Sequence, residues 1–178
     1  MAMFRSIARR SRRFGRDQHG AVLVEMTLVA PLMLLLSAGV FEFGNLIHDR
    51  LLMQAGLTDA ARFGARCNSQ LYTDAGLTID CATVAANIAV FGNTTGTGSP
   101  RVPNWNTQSP NVTVTIAASA SCHDAVVSGV TQYRSVTPQV CIVRADGTYA
   151  YSGVGMLALL NIGPITLNDF HEERLIRF

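Results

Sequence analysis

Residues 20–66 read GAVLVEMTLVAPLMLLLSAGVFEFGNLIHDRLLMQAGLTDAARFGAR. From Met26 to Phe41 this stretch carries no charge, and extended to Ala21 and Ile47 it is long enough to cross about 30 Å of hydrocarbon as a helix. A helix that is apolar on every side for this length fits a membrane better than the core of a small soluble domain. Two acids, Glu25 and Glu42, stand near its ends. Pro31 sits inside it, where it removes one backbone hydrogen bond and kinks the helix. A cleavable secretory signal competes with this reading and would use Ser37-Ala38-Gly39 as its small-residue site. The sequence that follows, VFEFGNLI, stays apolar and helical, whereas a signal peptide breaks there.

The helical period continues past the apolar run. Leu46, Ile47, Met53, Gln54, Leu57, Ala60 and Ala61 recur at spacings of three and four, which predicts one helix of about 45 residues from Ala21 to Arg66. Asp49 and Arg50 mark its emergence from the membrane, and Arg62 and Arg66 oppose the dipole at its C-terminal end.

Upstream, residues 1–20 hold Arg5, Arg9, Arg10, Arg12, Arg13 and Arg16 against a single acid, Asp17. A basic tail next to an apolar run keeps an N-terminus in the cytoplasm, so one crossing places everything after the helix on the other side. The remaining eight arginines face eleven acids, and no second basic surface exists to pair with the tail, so nucleic acid is not an expected partner. The 178 residues are 48% hydrophobic and 15% charged, a balance suited to one membrane segment plus a globular part.

Glu25 costs free energy wherever it meets hydrocarbon. It either touches the headgroups or finds a cation. A cut after Gly20 would give Ala21 an α-ammonium and make Glu25 the fifth residue, about one helical turn away on the same side. Pairing within the subunit or with a neighbour would offset the desolvation of both charges.

These features together resemble the TadE-like family, minor pilins or pseudopilins of tight-adherence (Flp, type IV-like) pili. The resemblance rests on the basic leader ending in Gly20, Val24-Glu25, Pro31, the Gly39–Gly44 stretch with Glu42, and the small-residue ending Ala60-Ala61-Arg62-Phe63-Gly64-Ala65. It implies processing by a prepilin peptidase after Gly20 and a role for Glu25 in assembly. It also implies other pilins and pilus assembly platform proteins as partners, in the inner membrane or in an extracellular pilus. The chain is far longer than a major Flp pilin, which argues against a bulk filament subunit. A membrane-tethered periplasmic binding module, never extracted into a filament, is the alternative.

Beyond the long helix, the expected fold is a small α+β pilin-like domain with an antiparallel sheet over residues 67–178, after a leader at 1–20 and the helix at 21–66. Residues 80–91 read as a second helix capped by Thr78 or Asp80 and ended by Gly92, with Val84, Ile88 and Phe91 as its buried stripe. Residues 92–111 form a long loop whose Trp105 is either an exposed contact point or folded onto the domain. Strands are expected at 112–121 and 138–145. A turn at Asp146-Gly147 would return into a short strand at 148–151. Residues 154–162 read as a core helix and Ile165–Arg174 as a strand closing the sheet.

Cys67, Cys81, Cys122 and Cys141 all follow the membrane segment, which puts them in an oxidising compartment and predicts two disulfides. Three pairings are open, and short local loops favour Cys67–Cys81 with Cys122–Cys141. Cys122-His123-Asp124 places three metal-ligand types in a row, but adjacent side chains rarely converge on one ion and the second ligand pair is missing. His171-Glu172-Glu173 lacks the second histidine of a metalloprotease helix, and no phosphate-cradling glycine loop is present. No catalytic residue, metal or cofactor is expected.

Overall fold

The computed structural model describes residues 18–116, 121–135, 137–153, 155, 157 and 161–176. The chain divides into two compact units, one ending at Gly44 and the other beginning at Asn45. The leader through residue 17, the end of the first expected strand and most of the expected helix at 154–162 lie outside the described residues.

One helix, α1 (Gln18–Arg66), supplies the described part of the first unit and the first element of the second. Pro31 lies within it without ending it. Past Asn45 its pattern becomes that of a core helix: Met53, Leu57, Ala60, Ala61 and Ala65 are buried, at the three-and-four spacing of one face.

Cys67 closes a loop to Cys81, and inside that loop lies the short helix α2 (Ser69–Asp74). Asn68 caps α2 by accepting the Gln70 N–H. The helix ends in a Schellman motif: Gly76 takes φ +74°, its N–H bonds to the Thr73 carbonyl, and the Leu77 N–H bonds to the Tyr72 carbonyl.

The helix α3 (Cys81–Phe91) has the expected caps, Asp80 before it and a left-handed Gly92 after it. Its buried face differs from the expected stripe. Val84, Ile88 and Phe91 are only half-buried, while Ala85, Ala86, Ala89 and Val90 are buried. The reason is close approach: a Cβ on Gly56 of α1 would collide with the carbonyl oxygen of Ala89, so only small side chains fit between the two helices.

The sheet is antiparallel and centres on β5 (Gln139–Tyr151). β1 (Val112–Ile116) pairs with Val143–Gly147, β2 (Cys122–Asp124) with Gln139–Cys141, and β6 (Ile165–Arg174) with Ile142–Tyr151. β3 (Val126–Val127) and β4 (Val130–Thr131) form a separate small hairpin around Ser128 and Gly129, both at positive φ. β6 has the expected bounds.

The expected turn at Asp146-Gly147 is absent. Both residues lie inside β5, opposite Phe170 and Asp169 of β6 and Thr113 and Val112 of β1. The glycine serves packing instead, because a Cβ there would lie 2.9 Å from a methyl of Leu57 on α1. Strands on both sides outweigh the local turn preference of Asp-Gly.

The core gathers α1, α3 and the inner face of the sheet. Trp105 belongs to it at 2% exposed, which takes the folded alternative for this residue. Its indole N–H donates to the Asn111 carbonyl at 3.3 Å. The loop around it is packed too: Val102 is fully buried and Arg101 reaches Asp59 of α1 at 2.7 Å. The architecture is therefore a long apolar helix leading into a small α+β domain with an antiparallel sheet, as expected.

Candidate anchoring and assembly segment

Between Val22 and Leu36, eleven large apolar side chains are each at least half exposed. At about 1 kcal/mol or more for each one left in water, the total is on the order of 10 kcal/mol, which matches the whole stability of an ordinary domain. Water is therefore the wrong solvent for this segment. From Ala21 to Ile47 it is about 40 Å long, enough to cross a bilayer with some tilt.

Two hydroxyls within the segment are bonded to the helix itself. The Thr27 hydroxyl donates to the Val24 carbonyl at 2.8 Å, and the Ser37 hydroxyl to the Leu34 carbonyl at 3.0 Å. Each is satisfied within its own helix, an arrangement compatible with hydrocarbon. Pro31 has no N–H to give to the Thr27 carbonyl.

Gly20 and Ala21 occupy the first turn of α1. Gly20 is exposed, and a Cβ there would meet nothing within 4 Å. Glu25 is exposed one turn further on, whereas Glu42 is buried at 3% exposed. The burial of Glu42 had no local signal, since both acids interrupt the apolar run in the same way.

The disulfides join Cys67 to Cys81 and Cys122 to Cys141, the pairing that local loop closure favours. In Cys122-His123-Asp124 the sulfur is therefore committed to Cys141. Among the described residues no three His, Cys, Asp or Glu side chains come together in a metal-holding group.

Electrostatic shifts at Asp80 and Tyr149 accompany the frame. Asp80 is held below its ordinary carboxylate value first by the Thr83 hydroxyl, then by the Thr83 and Ala82 amides that it caps. Burial pushes the Tyr149 phenol up, with the nearby Asp49 carboxylate adding to it and a bond from Ser152 opposing.

The helix is long and apolar enough to cross a membrane, and it carries Gly20-Ala21 with an acid, Glu25, one turn later. The family model described as TadE-like protein matches residues 20–66, the residues that carry the resemblance, and shows this segment to be TadE-like. No curated protein and no solved structure matches the chain.

Proposed function

We propose that the chain is a minor pilin or pseudopilin that takes part in assembling a tight-adherence, type IV-like pilus. The observation that carries this reading is the TadE-like match over residues 20–66, a stretch whose first half is exposed, apolar and of membrane length. In this role a prepilin peptidase cuts after Gly20 on the cytoplasmic side. The basic leader holds the N-terminus there, and the α+β unit lies in the periplasm or on the extracellular pilus. The helix that remains begins at Ala21, which brings Glu25 to the end of its first turn, where an acid complements the helix dipole as well as the new ammonium. Other pilins and the assembly platform are the partners. The role is structural and calls for no catalysis.

The alternative of a tethered binding module drew its ligand face from an exposed Trp105, and that residue is in the core. Intact mass of the membrane-extracted protein decides the processing claim: it should begin at Ala21, and a mature chain beginning at Met1 or Ala2 in peptidase-positive cells would refute it. Glu25→Gln should insert normally and lose filament assembly, as scored by shear-released pili. Normal piliation would remove the role assigned to the carboxylate.

A further inference from the structure

The two disulfides sit in different surroundings. Cys67 and Cys81 are 7% and 8% exposed and tie the end of α1 to the start of α3, both core helices. Cys122 and Cys141 are half-buried and face each other across β2 and β5. The Leu175 N–H bonds to the Cys141 carbonyl on the β6 side, while the Ala125 N–H bonds to the Pro138 carbonyl on the other. Cys122 and Cys141 are thus a pair without mutual backbone bonds, the kind whose side chains come closest. Cys141 also lines an open groove of about 560 Å³ together with Ser135, Thr137, Gln139 and Arg174.

Besides the disulfide, a few polar bonds tie this part of the chain: Gln139 donates to Asp124 at 3.0 Å, the Ala125 N–H to the Pro138 carbonyl at 2.7 Å, and Arg174 to the Arg134 carbonyl at 2.9 Å. β2 joins the sheet through three residue pairs, and β3 and β4 pair only with each other. Of the described residues from His123 to Thr137, Ala125 alone is buried. Val126, Val127 and Val130 are all at least half exposed. A segment with so few buried apolar contacts has low local stability of its own, and the disulfide supplies much of its tether.

We propose that Cys122–Cys141 is a redox modification site, open to thiol–disulfide exchange with dithiol reductants, while Cys67–Cys81 is a closed structural bridge. An external thiolate entering the groove attacks the Cys141 sulfur. That sulfur–sulfur bond breaks, a mixed disulfide forms, and Cys122 leaves as a thiolate that takes a proton from water. The second thiol of the reductant then displaces Cys141, so the reductant ends as a disulfide and the protein gains two electrons and two protons. Arg174 lies on the same groove, where its guanidinium favours both the entering thiolate and the Cys141 thiolate that is finally released. Reduction frees the segment from Cys122 to Thr137 and leaves the α1–α3 core closed.

The test uses the full chain in detergent micelles with limiting dithiothreitol, acid quenching, differential alkylation and peptide mapping. Cys122 and Cys141 should be alkylated about tenfold or more faster than Cys67 and Cys81. Hydrogen exchange after that first reduction should rise in 122–137 and stay unchanged in 81–91. Equal rates for the two pairs, earlier opening of Cys67–Cys81, or unchanged exchange in 122–137 would each overturn the proposal. The paired substitution Cys122→Ser with Cys141→Ser gives a second readout: exchange in 122–137 should already be high without reductant, and wild-type protection there would contradict the tether. Arg174→Gln should slow reduction by the anionic thiol glutathione severalfold, and an unchanged rate would remove Arg174 from the step.

Discussion

Gly56 of α1 lies against the backbone of α3 at Ala89, and replacing it by alanine sets two effects against one another. Alanine is the better helix former by about 0.8–1 kcal/mol, which favours the variant. Its Cβ, however, would collide with the Ala89 carbonyl oxygen and lie 3.1 Å from the carbon behind it. Both atoms are backbone in the middle of a helix, so no side chain can swing aside. The helices must part, and a gap of about 0.5–1 Å forfeits a quarter to a half of each dispersion contact across the seam. Overpacking of this kind costs about 1–3 kcal/mol. Because the opposing atoms are backbone, the cost falls in the upper half of that range, about 2–3 kcal/mol, and the net expectation is a loss of about 1–2 kcal/mol, read as a fall in melting temperature of roughly 2–8 °C. Gly44→Ala is the control. A Cβ there meets nothing within 4 Å, so the propensity gain stands alone and the melting temperature should hold or rise. Thermal unfolding followed by circular dichroism, in one detergent and with disulfides intact, compares the two. A Gly56→Ala protein melting at or above wild type would refute the close-packing account of why α3 faces the core with alanines.

Trp105→Ala should cost about 3–5 kcal/mol, because it empties the largest fully buried side chain of the core. Since Trp105 is the only tryptophan, its fluorescence reports the site directly: emission should be blue-shifted in the native protein and move red on denaturant unfolding, and an emission already at the solvent-exposed maximum would contradict the burial. Asp80→Ala should cost about 1 kcal/mol near neutral pH by removing the α3 cap. Its pH dependence has a definite sign. The folded Asp80 value is lowered, so the charged cap stabilises fully above the ordinary value of 3.8, and that contribution is lost as pH falls through the lowered value. The stability gap between wild type and Asp80→Ala, from urea titrations at several pH values, should therefore narrow below about pH 4. A gap that widens on acidification would show that the capping carboxylate acts through something else.

What could be read in the sequence was whatever depends on local rules. A helix that alternates every three or four residues, an Asp cap, a Gly stop and an apolar run of membrane length are each determined by neighbours in the chain, and α1, α3 and β6 have close to their expected bounds. The TadE-like segment was legible for the same reason, because its signals lie within residues 20–66. What escaped depends on contacts distant in sequence. The buried face of α3 has no local signal, because large apolar residues look like core residues until Gly56 brings a backbone within reach of Ala89. Trp105 was ambiguous because a loop rich in Gly, Pro and Asn signals exposure, while its burial depends on α1, α3 and β5 forming the pocket around it. The small β3–β4 hairpin carries only a Ser128-Gly129 turn signal and too few strand residues for any alternation. Glu42 differs from Glu25 in burial alone, which no local pattern encodes.

Asp146-Gly147 shows the same conflict at a single dipeptide, and one experiment separates its two readings. In a hairpin turn the glycine would need positive φ, and alanine would cost the same whatever stands on α1. In the structure Gly147 is extended within β5, and the cost of alanine comes from Leu57, whose side-chain carbons would lie 2.9 and 3.1 Å from the new Cβ. The extended reading therefore predicts coupling between two residues far apart in sequence. Gly147→Ala alone should destabilise by about 1–3 kcal/mol through overpacking. Leu57→Ala alone should destabilise by about 2–5 kcal/mol through the cavity it leaves. Together they should cost clearly less than their sum, because the methyl introduced at position 147 enters the space that the Leu57 side chain leaves. An interaction energy of about 1 kcal/mol or more in the double-mutant cycle is expected. Additivity within about 0.5 kcal/mol would mean that Gly147 does not face Leu57, and with it would fall the placement of β5 against α1 that organises the whole core.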